Sequence, residues 1–197
     1  MAEPTTRERR HARTRDEILA AALEIINEKG PDGLSLREIA RRVDYSPAGL
    51  YEYFGSKDEI IAAVCAEGDR RLRAALKSVP HALPPSEYLV ELALAYVRYA
   101  REHKEHFTLT STRLVPESPV PYDEVEPGET YQILLDAVQA AIDAGIIRTG
   151  EGYGIDEVAY SLWALGHGVA SLQVSMPDAE RIIFERFIQG LGGALKD

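Results

Sequence analysis

Residues 35–54 read SLREIARRVDYSPAGLYEYF, and this stretch decides the fold. Ser35 followed by Glu38 forms a capping box, which predicts that a short helix begins after Ser35. Asp44 predicts a tight turn, because Asp adopts the left-handed backbone conformation more readily than most residues other than glycine. Ser46 stands directly before a proline, and this pair predicts the N-cap and first position of a second short helix, which reaches about residue 54. Two short helices across such a turn form a helix-turn-helix.

The second helix of this motif suits contact with DNA, because the second helix of a helix-turn-helix can enter the major groove. Its first turn, residues 46–49, carries small side chains, so the backbone there can approach DNA closely. Tyr51 and Tyr53 offer hydroxyl groups to phosphate oxygens, and Lys57 adds a positive charge. A helical hairpin in which Tyr51 and Phe54 only fill a core is the alternative interpretation.

A longer pattern surrounds the motif. It consists of an alanine-rich first helix, Gly30, Leu34-Ser35, Ile39-Ala40, Ser46-Pro47 and, above all, Leu50-Tyr51-Glu52-Tyr53-Phe54 followed by Ser56-Lys57-Asp58-Glu59. With these residues the stretch from Ile18 to about Val64, roughly the first third of the chain, resembles the N-terminal domain of the TetR family of bacterial transcriptional regulators. The resemblance implies an all-α homodimer with a three-helix DNA-binding head and a divergent ligand-binding body.

The family pattern also implies two sets of DNA contacts. The residues expected at the sugar-phosphate backbone are Ser35, Arg37, Tyr51 and Lys57. The residues expected at base edges or nearby phosphates are Ser46, Pro47, Ala48, Gly49 and Tyr53. The sequence departs from the pattern at Asp44, where the family usually has glycine, and at Tyr45, where it usually has a small aliphatic residue. The first departure adds negative charge near DNA and the second repacks the turn, so both bear on base preference.

The periodicity of the remaining sequence predicts an all-α protein with about nine helices. Capping boxes at Thr14 and Ser56 predict a first helix that ends near Lys29 and a long helix that reaches about Leu76. Later helices are predicted to begin at about Ser86, Glu105, Tyr131, residue 156 and Pro177, with a proline-rich loop over residues 116–129. We expect a DNA-binding domain over residues 1–60, preceded by a basic arm at 1–13, and a ligand-binding and dimerisation domain over residues 61–197.

The net charge of −10 is unevenly distributed along the 197 residues. Residues 1–57 carry equal numbers of basic and acidic side chains, so the whole net charge lies in residues 58–197. Because a polyanion repels an acidic protein, binding to nucleic acid must use the N-terminal segment, whose arginines are Arg7, Arg9, Arg10, Arg13 and Arg15. The longest apolar run, residues 60–66, is too short to span a membrane. The single cysteine, Cys65, favours a reducing compartment, so we expect a cytoplasmic protein.

The helix predicted over about 156–176 has very little polar surface, so it must be buried on more than one side. One side can serve the core of the subunit and another can pack against a second copy of the chain. The residues predicted at this dimer interface are Ala164, Gly168, Ser171, Ile183 and Phe187. A central core helix in a monomer is the alternative.

Candidate residues for a ligand pocket lie on the helices of the C-terminal part. They are Tyr96, Tyr99, Arg113, Tyr131, Trp163 and His167, each of which could instead be aromatic core or solvated surface. Trp163, His167 and Gly168 also resemble a Trp/His-Gly motif of one group of TetR C-terminal domains. The sequence does not distinguish a cationic, an acyl or an aromatic small-molecule effector.

No catalytic motif, cofactor or metal site is predicted, and His103 with His106 lacks the partners of a metal site. We therefore expect a dimeric regulator rather than an enzyme, and a repressor that a small-molecule effector releases from a pseudo-palindromic DNA operator. A helical interaction protein that keeps the head fold without reading DNA is the competing class, and a small helical enzyme is the third.

Overall fold

The computed structural model describes residues 5–113, 128–172 and 176–193, with residues 111–113 described by their backbone alone. Its regular structure within these ranges is helical, as predicted. The helices are α1 (Thr6–Lys29), α2 (Leu36–Arg42), α3 (Pro47–Leu50), α4 (Lys57–Lys77), α5 (Pro85–Glu102), α6 (Lys104–Arg113), α7 (Glu129–Asp143), α8 (Ile155–Ser171) and α9 (Pro177–Gly192). Most of the expected proline-rich loop lies outside the described residues.

The chain divides into two compact units. The first runs to Gly68 and includes the segment from Glu105 that forms α6, and the second contains Asp69–Lys104 with α7, α8 and α9. The division that the sequence suggests after residue 60 falls inside α4, which continues through Gly68. No helix in the described ranges combines the length and the apolar character needed to cross a membrane.

The first unit is built around one apolar core. The two helices of the helix-turn-helix and the helices on either side of it all contribute buried side chains to this core. They include Ile18 and Ile25 of α1, Ile39 of α2, Leu50 of α3, and Ile60 and Val64 of α4. Leu109 of α6 packs into the same core. Helices as short as α2 and α3 are marginal in isolation, so this packing stabilises the motif.

The first helix begins earlier than the sequence analysis predicts. Thr5 is its N-cap: the Thr5 hydroxyl accepts from the Glu8 amide at 3.3 Å, and the Glu8 carboxylate accepts from the Thr5 amide at 2.6 Å. Thr14, the predicted start, is buried in the middle of α1. The predicted start is wrong, and residues 6–13 of the expected arm are helical, because no glycine or proline interrupts the chain between the two capping boxes.

The helix-turn-helix itself forms with the predicted caps. The Ser35 hydroxyl accepts from the Glu38 amide at 3.3 Å, and the Ser46 hydroxyl accepts from the Gly49 amide at 3.0 Å. Asp44 adopts φ 52°, the left-handed conformation expected at the turn. However, α3 ends at Leu50 rather than near residue 54. The chain tightens there into i→i+3 hydrogen bonds, as helix ends commonly do.

In the second unit, α5 packs against α7, α8 and α9. The helix begins at Pro85, so the cap predicted at Ser86 is wrong; proline suits the first helical position because it has no amide to leave unsatisfied. The helix predicted to reach about residue 176 ends at Ser171, and Met176, the residue before Pro177, is not helical, with φ −134° and ψ 71°. Pro177 opens α9 as expected.

A buried ion pair joins α5 to α9. Arg101 Nη1 donates to Glu180 Oε2 at 3.0 Å, and the Met176 amide donates to Glu180 Oε1 at 2.9 Å. Glu180 is only 5% exposed, and the hydrogen bonds from Arg101 hold the pKa of its carboxyl below the usual range. The charge of Glu180 therefore stabilises the start of α9 against α5.

Candidate nucleic-acid interface

The core fixes which side of α3 faces outward. Leu50 points into the core and is fully buried, whereas Ser46, Pro47 and Ala48 are exposed and Gly49 is half-buried. The first turn of α3 thus presents small groups to solvent on a helix that is anchored by its last residue. The second helix of a helix-turn-helix contacts base edges with its N-terminal residues, so an exposed first turn is compatible with that role.

The residues predicted at the sugar-phosphate backbone all belong to the first unit. Ser35 and Arg37 are exposed at the start of α2, and Tyr51 is 59% exposed directly after α3. Lys57 is half-buried at the first position of α4, where its Nζ donates to the Asp32 carbonyl at 3.2 Å. This bond holds the ammonium group at the surface formed by the start of α4 and the turn before α2.

The space beside Gly49 is filled by Tyr45. A Cβ added to Gly49 would lie 2.7 Å from Cε1 and 2.8 Å from Cδ1 of the Tyr45 ring, closer than real Cβ atoms approach their neighbours. The sequence argument, in which glycine leaves the backbone open for DNA, therefore does not describe position 49. Here glycine makes room for a tyrosine of the same chain.

Tyr45 belongs to an aromatic cluster with Tyr53 and His11. The hydroxyls of Tyr45 and Tyr53 lie 3.4 Å apart, and the two rings meet edge to face at 5.9 Å between centroids. His11 of α1 stacks on the other tyrosine, Tyr53, at 4.5 Å. The hydrogen bond to Tyr53 raises the pKa of Tyr45; the charge of Glu52 adds to this shift and that of Arg10 opposes it.

Sequence analysis singled out Tyr45 as a residue that repacks the turn, but it did not predict the contacts of Tyr45 with Gly49 and Tyr53, and it missed His11. The signal for these contacts is the spacing of four residues between Tyr45, Gly49 and Tyr53, which would place them on one face of a continuous helix, although only Gly49 lies within α3. The stack of His11 on Tyr53 joins residues that are far apart in the sequence, so no local pattern could have predicted it.

Most cations of α2 and of the end of α1 are neutralised by carboxylates. Glu38 accepts from Arg41 and Lys29, and these interactions, led by the Arg41 hydrogen bond, lower the pKa of Glu38 to about 2. Arg42 pairs with Glu28 and Glu24 of α1. Positive charge on this unit is thus concentrated elsewhere.

Five arginines of the first unit have no ion pair with any described residue; one of them, Arg15, has its guanidinium over the Phe54 ring, 5.0 Å from the centroid. The other four are Arg7, Arg9 and Arg10 at the start of α1, and Arg37 on α2, and all four are exposed. Arg13, by contrast, pairs with Glu17 at 3.4 Å. The start of α1 and the exposed side of α2 therefore hold the cations that are available to phosphates.

Four of the predicted pocket residues meet in the second unit. The Tyr96 hydroxyl lies 3.0 Å from His167 Nδ1, and Trp163 meets Tyr131 edge to face at 6.3 Å. Trp163 also lies 5.9 Å from the His167 ring, which links the two pairs. Burial raises the pKa of Tyr96 to about 12. The aromatic cluster joins α5, α7 and α8.

The other two pocket candidates are placed differently. Tyr99 is buried on α5 with its ring 5.0 Å from that of His103. The side chain of Arg113 lies outside the described residues. An open groove of about 730 Å³ is lined by other residues of this unit, among them Glu87, Arg181 and Glu185.

The residues predicted at a dimer interface lie on α8 and α9. Ala164, Gly168 and Ser171 are exposed, Ile183 is 42% exposed, and Phe187 is half-buried. Other large apolar side chains are exposed on or next to the same two helices, namely Tyr160, Leu172, Met176 and Ile182. Solvent-exposed apolar surface is thus concentrated on α8 and α9.

Comparison with known proteins agrees with this architecture. Residues 18–64 match the model of bacterial regulatory proteins of the tetR family, and residues 89–190, more than half of the chain, match the tetracyclin repressor-like C-terminal domain. The chain is 41% identical over 63 residues to an uncharacterised HTH-type transcriptional regulator of Mycobacterium bovis, covering 32% of this chain and 30% of that protein. The match thus spans less than a third of the length of that curated relative.

Solved structures resemble the chain over most of its length. A tetR-family regulatory protein from Rhodococcus RHA1 superposes with a TM-score of 0.68 and 20% identity, covering 91% of this chain and 95% of that one. A Rhodococcus sp. RHA1 protein of unknown function gives a TM-score of 0.73 and 27% identity over 91% and 96% of the two chains. Both family models, the fold and the helix-turn-helix lead to one conclusion: the chain belongs to the TetR family of transcriptional regulators.

Proposed function

We propose that this regulator is a dimeric, sequence-specific repressor that acts in the cytoplasm and leaves its operator when a small-molecule effector binds. The observation that carries the proposal is the exposed first turn of α3, Ser46–Ala48, on a helix anchored in the core by Leu50. Because Leu50 holds α3 in the core, its first turn can contact the major groove without a change in the position of α3 within the first unit.

The proposed DNA contacts divide by their chemistry. Arg37, Lys57, Ser35 and Tyr51 meet the sugar-phosphate backbone, which fixes the position of the protein on the duplex but carries no sequence information. The exposed first turn of α3, from Ser46 to Ala48, and Tyr53 contact base edges or nearby phosphates, and Gly49 contributes to this surface by making room for the Tyr45 ring. The exposure of Arg37 and Tyr51 supports the first set, and the small exposed side chains of α3 support the second.

Two copies of the chain pair through α8 and α9. The exposed apolar side chains there, such as Leu172 at 72% exposure, support this interface, because large apolar patches on a protein surface commonly mark association sites. In a two-fold dimer, two α3 helices reach successive major grooves about 34 to 36 Å apart on a pseudo-palindromic operator.

The effector binds in the second unit, beside the aromatic cluster of Tyr96, Tyr131, Trp163 and His167. Aromatic walls with a few polar groups are typical of small-molecule sites. An effector that prefers the conformation unable to bind DNA lowers operator affinity by the coupling free energy, typically about 5- to 150-fold, and DNA lowers effector affinity by the same factor.

The test begins with selection of bound sequences from a pool of random duplexes, followed by fluorescence anisotropy with the enriched duplex and a scrambled one at two salt concentrations. We expect Lys57→Ala and Tyr51→Ala to weaken binding to both duplexes while sedimentation still shows a dimer. Lys77→Ala, at the other end of α4, is the matched control and should bind as the wild type does.

Enrichment of no sequence, with weak binding that salt abolishes, would overturn the proposal in favour of a helical interaction protein. Normal binding by both variants would show that the phosphate contacts are assigned to the wrong residues.

A further inference from the structure

We propose that Tyr45 is a specificity-determining residue that contacts DNA base edges beside α3, and that Gly49 serves to position its ring. The inference rests on the proposed entry of α3 into the major groove. It assigns a DNA contact to a residue in the turn before the helix.

The ring of Tyr45 occupies the space beside α3 that a side chain at position 49 would otherwise fill. A Cβ at position 49 would approach the Tyr45 ring to 2.7 Å and the Ser46 hydroxyl to 3.1 Å, so any residue other than glycine would displace the ring. Tyr45 is nevertheless 40% exposed. Tyr45 is therefore partly accessible to solvent while its ring lies against Gly49 of the helix that the proposal places in the groove.

A second contact, with Tyr53, also restrains the Tyr45 hydroxyl. It lies 3.4 Å from the Tyr53 hydroxyl, and the Tyr53 ring is itself held by the stack of His11. Three parts of the first unit, α1, the turn and the residues after α3, therefore hold the two phenols in one arrangement. A side chain that is ordered before binding loses less conformational entropy when it binds.

The paired hydroxyls have the chemistry to read a base edge. When one hydroxyl donates to the other, one O–H remains to donate outward and oxygen lone pairs remain to accept, so the pair presents both a donor and an acceptor. Base edges in the major groove present both kinds of group in patterns that distinguish the base pairs.

The surrounding charges favour bases over phosphates as the partner. Asp44 precedes Tyr45 in the sequence, and the charge of Glu52 adds to the rise in the pKa of Tyr45 that its hydrogen bond to Tyr53 causes. Two carboxylates repel the phosphate backbone, whereas neutral base edges are compatible with them. Arg10, exposed on α1, opposes the rise in the pKa of Tyr45 and offers a phosphate contact from that helix.

The first experiment compares wild type and Tyr45→Phe in selection from one random duplex pool, followed by anisotropy with the duplex enriched by wild type and a scrambled duplex. Phenylalanine keeps the ring and removes only the hydroxyl. We expect the preference for the enriched duplex to fall about 3- to 10-fold, as the loss of one hydrogen bond predicts, with little change on the scrambled duplex. Tyr88→Phe on α5 is the control and should keep the full preference.

The second experiment combines Gly49→Ala with Tyr45→Ala. Alone, Gly49→Ala should reduce the preference at least as much as Tyr45→Ala, because it expels the ring. In the Tyr45→Ala background the ring is gone, so Gly49→Ala should cost less than about 2-fold more. Thermal unfolding of each variant separates this result from loss of fold, and alanine in a helix should not lower the melting temperature of the double variant.

The outcomes separate the inference from the proposed function. If wild type enriches no sequence, the proposed function fails and the inference fails with it. If wild type enriches a sequence but Tyr45→Phe keeps the full preference, only the inference is overturned. The inference is likewise overturned if the losses of Gly49→Ala and Tyr45→Ala add, because Gly49 would then act on DNA independently of Tyr45. An equal loss on both duplexes would assign the hydroxyl to phosphate and overturn base reading.

Discussion

Replacing Arg7, Arg9 and Arg10 together by alanine is expected to make operator binding much less sensitive to salt. All three lie in the first turns of α1, exposed and without an ion pair to any residue that the structure describes. Since alanine is the best helix former, the triple variant keeps α1 helical while it removes the three charges. Any change in binding therefore reports charge rather than fold.

The expected magnitude follows from counterion release. Each phosphate that a protein cation neutralises contributes about −0.9 to the slope of log K against log salt concentration. If all three arginines contact phosphates, the triple variant should lose about 3 units of slope as a single chain and about 5 as a dimer. The size of the change therefore also reports how many chains bind one operator.

The assay is fluorescence anisotropy with the enriched duplex at five or more salt concentrations. The control replaces Arg98, Arg148 and Arg186 by alanine, which removes the same charge from exposed positions of the second unit. A slope that changes equally in both triple variants would refute the reasoning, since the effect would then come from net charge alone. Circular dichroism of both variants checks that helix content is retained.

Three further predictions concern the cap of α3, the buried ion pair and the dimer. Ser46→Ala removes the hydroxyl that accepts from the Gly49 amide and should lower the free energy of unfolding by about 1 kcal/mol in urea titration; no change would mean that the cap is not needed. Glu180→Gln should lower it by about 1 to 3 kcal/mol at pH 7. Because Arg101 lowers the folded-state pKa of Glu180, this difference should shrink as the pH falls below the ordinary value of 4.5, and a pH-independent difference would contradict the assignment. Ile183→Arg places a charge in the proposed interface and should yield a folded monomer by sedimentation, whereas Ile183→Leu should remain dimeric; a dimeric arginine variant would remove α9 from the interface.

Features that depend on neighbouring residues were predictable from the sequence. The caps at Ser35 and Ser46 and the left-handed Asp44 appear in the structure as predicted, because each depends on a few adjacent residues. The spacing of apolar residues likewise gave the all-α class. These are local rules, and they hold wherever no competing signal lies nearby.

The errors arose where two local signals competed. Thr5 and Thr14 both begin capping boxes, and the earlier one starts α1 because nothing between them breaks a helix. Pro85 and Ser86 both suit the start of α5, and the proline takes the first position. Helix propensity alone does not decide between two neighbouring start positions, because their difference in propensity is small compared with the free energy of packing the helix into the core.

The site was predictable only in part for a different reason. That α3 carries small exposed residues follows from its sequence, but the contact of His11 with Tyr53 joins α1 to the residues after α3. Such a contact depends on how the helices pack in the core, which periodicity does not specify. The position of Tyr45 over Gly49 has the same origin, since it requires the turn geometry and the ring rotamer together.

The fit of the Tyr45 ring against Gly49 restricts the order in which this surface could have changed during evolution. In an ancestor with a side chain at position 49, the ring of a tyrosine at position 45 would have met that side chain, so the ring could take its present place only once position 49 was glycine. A side chain regained at position 49 would displace the ring of an established tyrosine. Descendants that keep Tyr45 should therefore keep Gly49, whereas those that lose the tyrosine are free to vary at both positions.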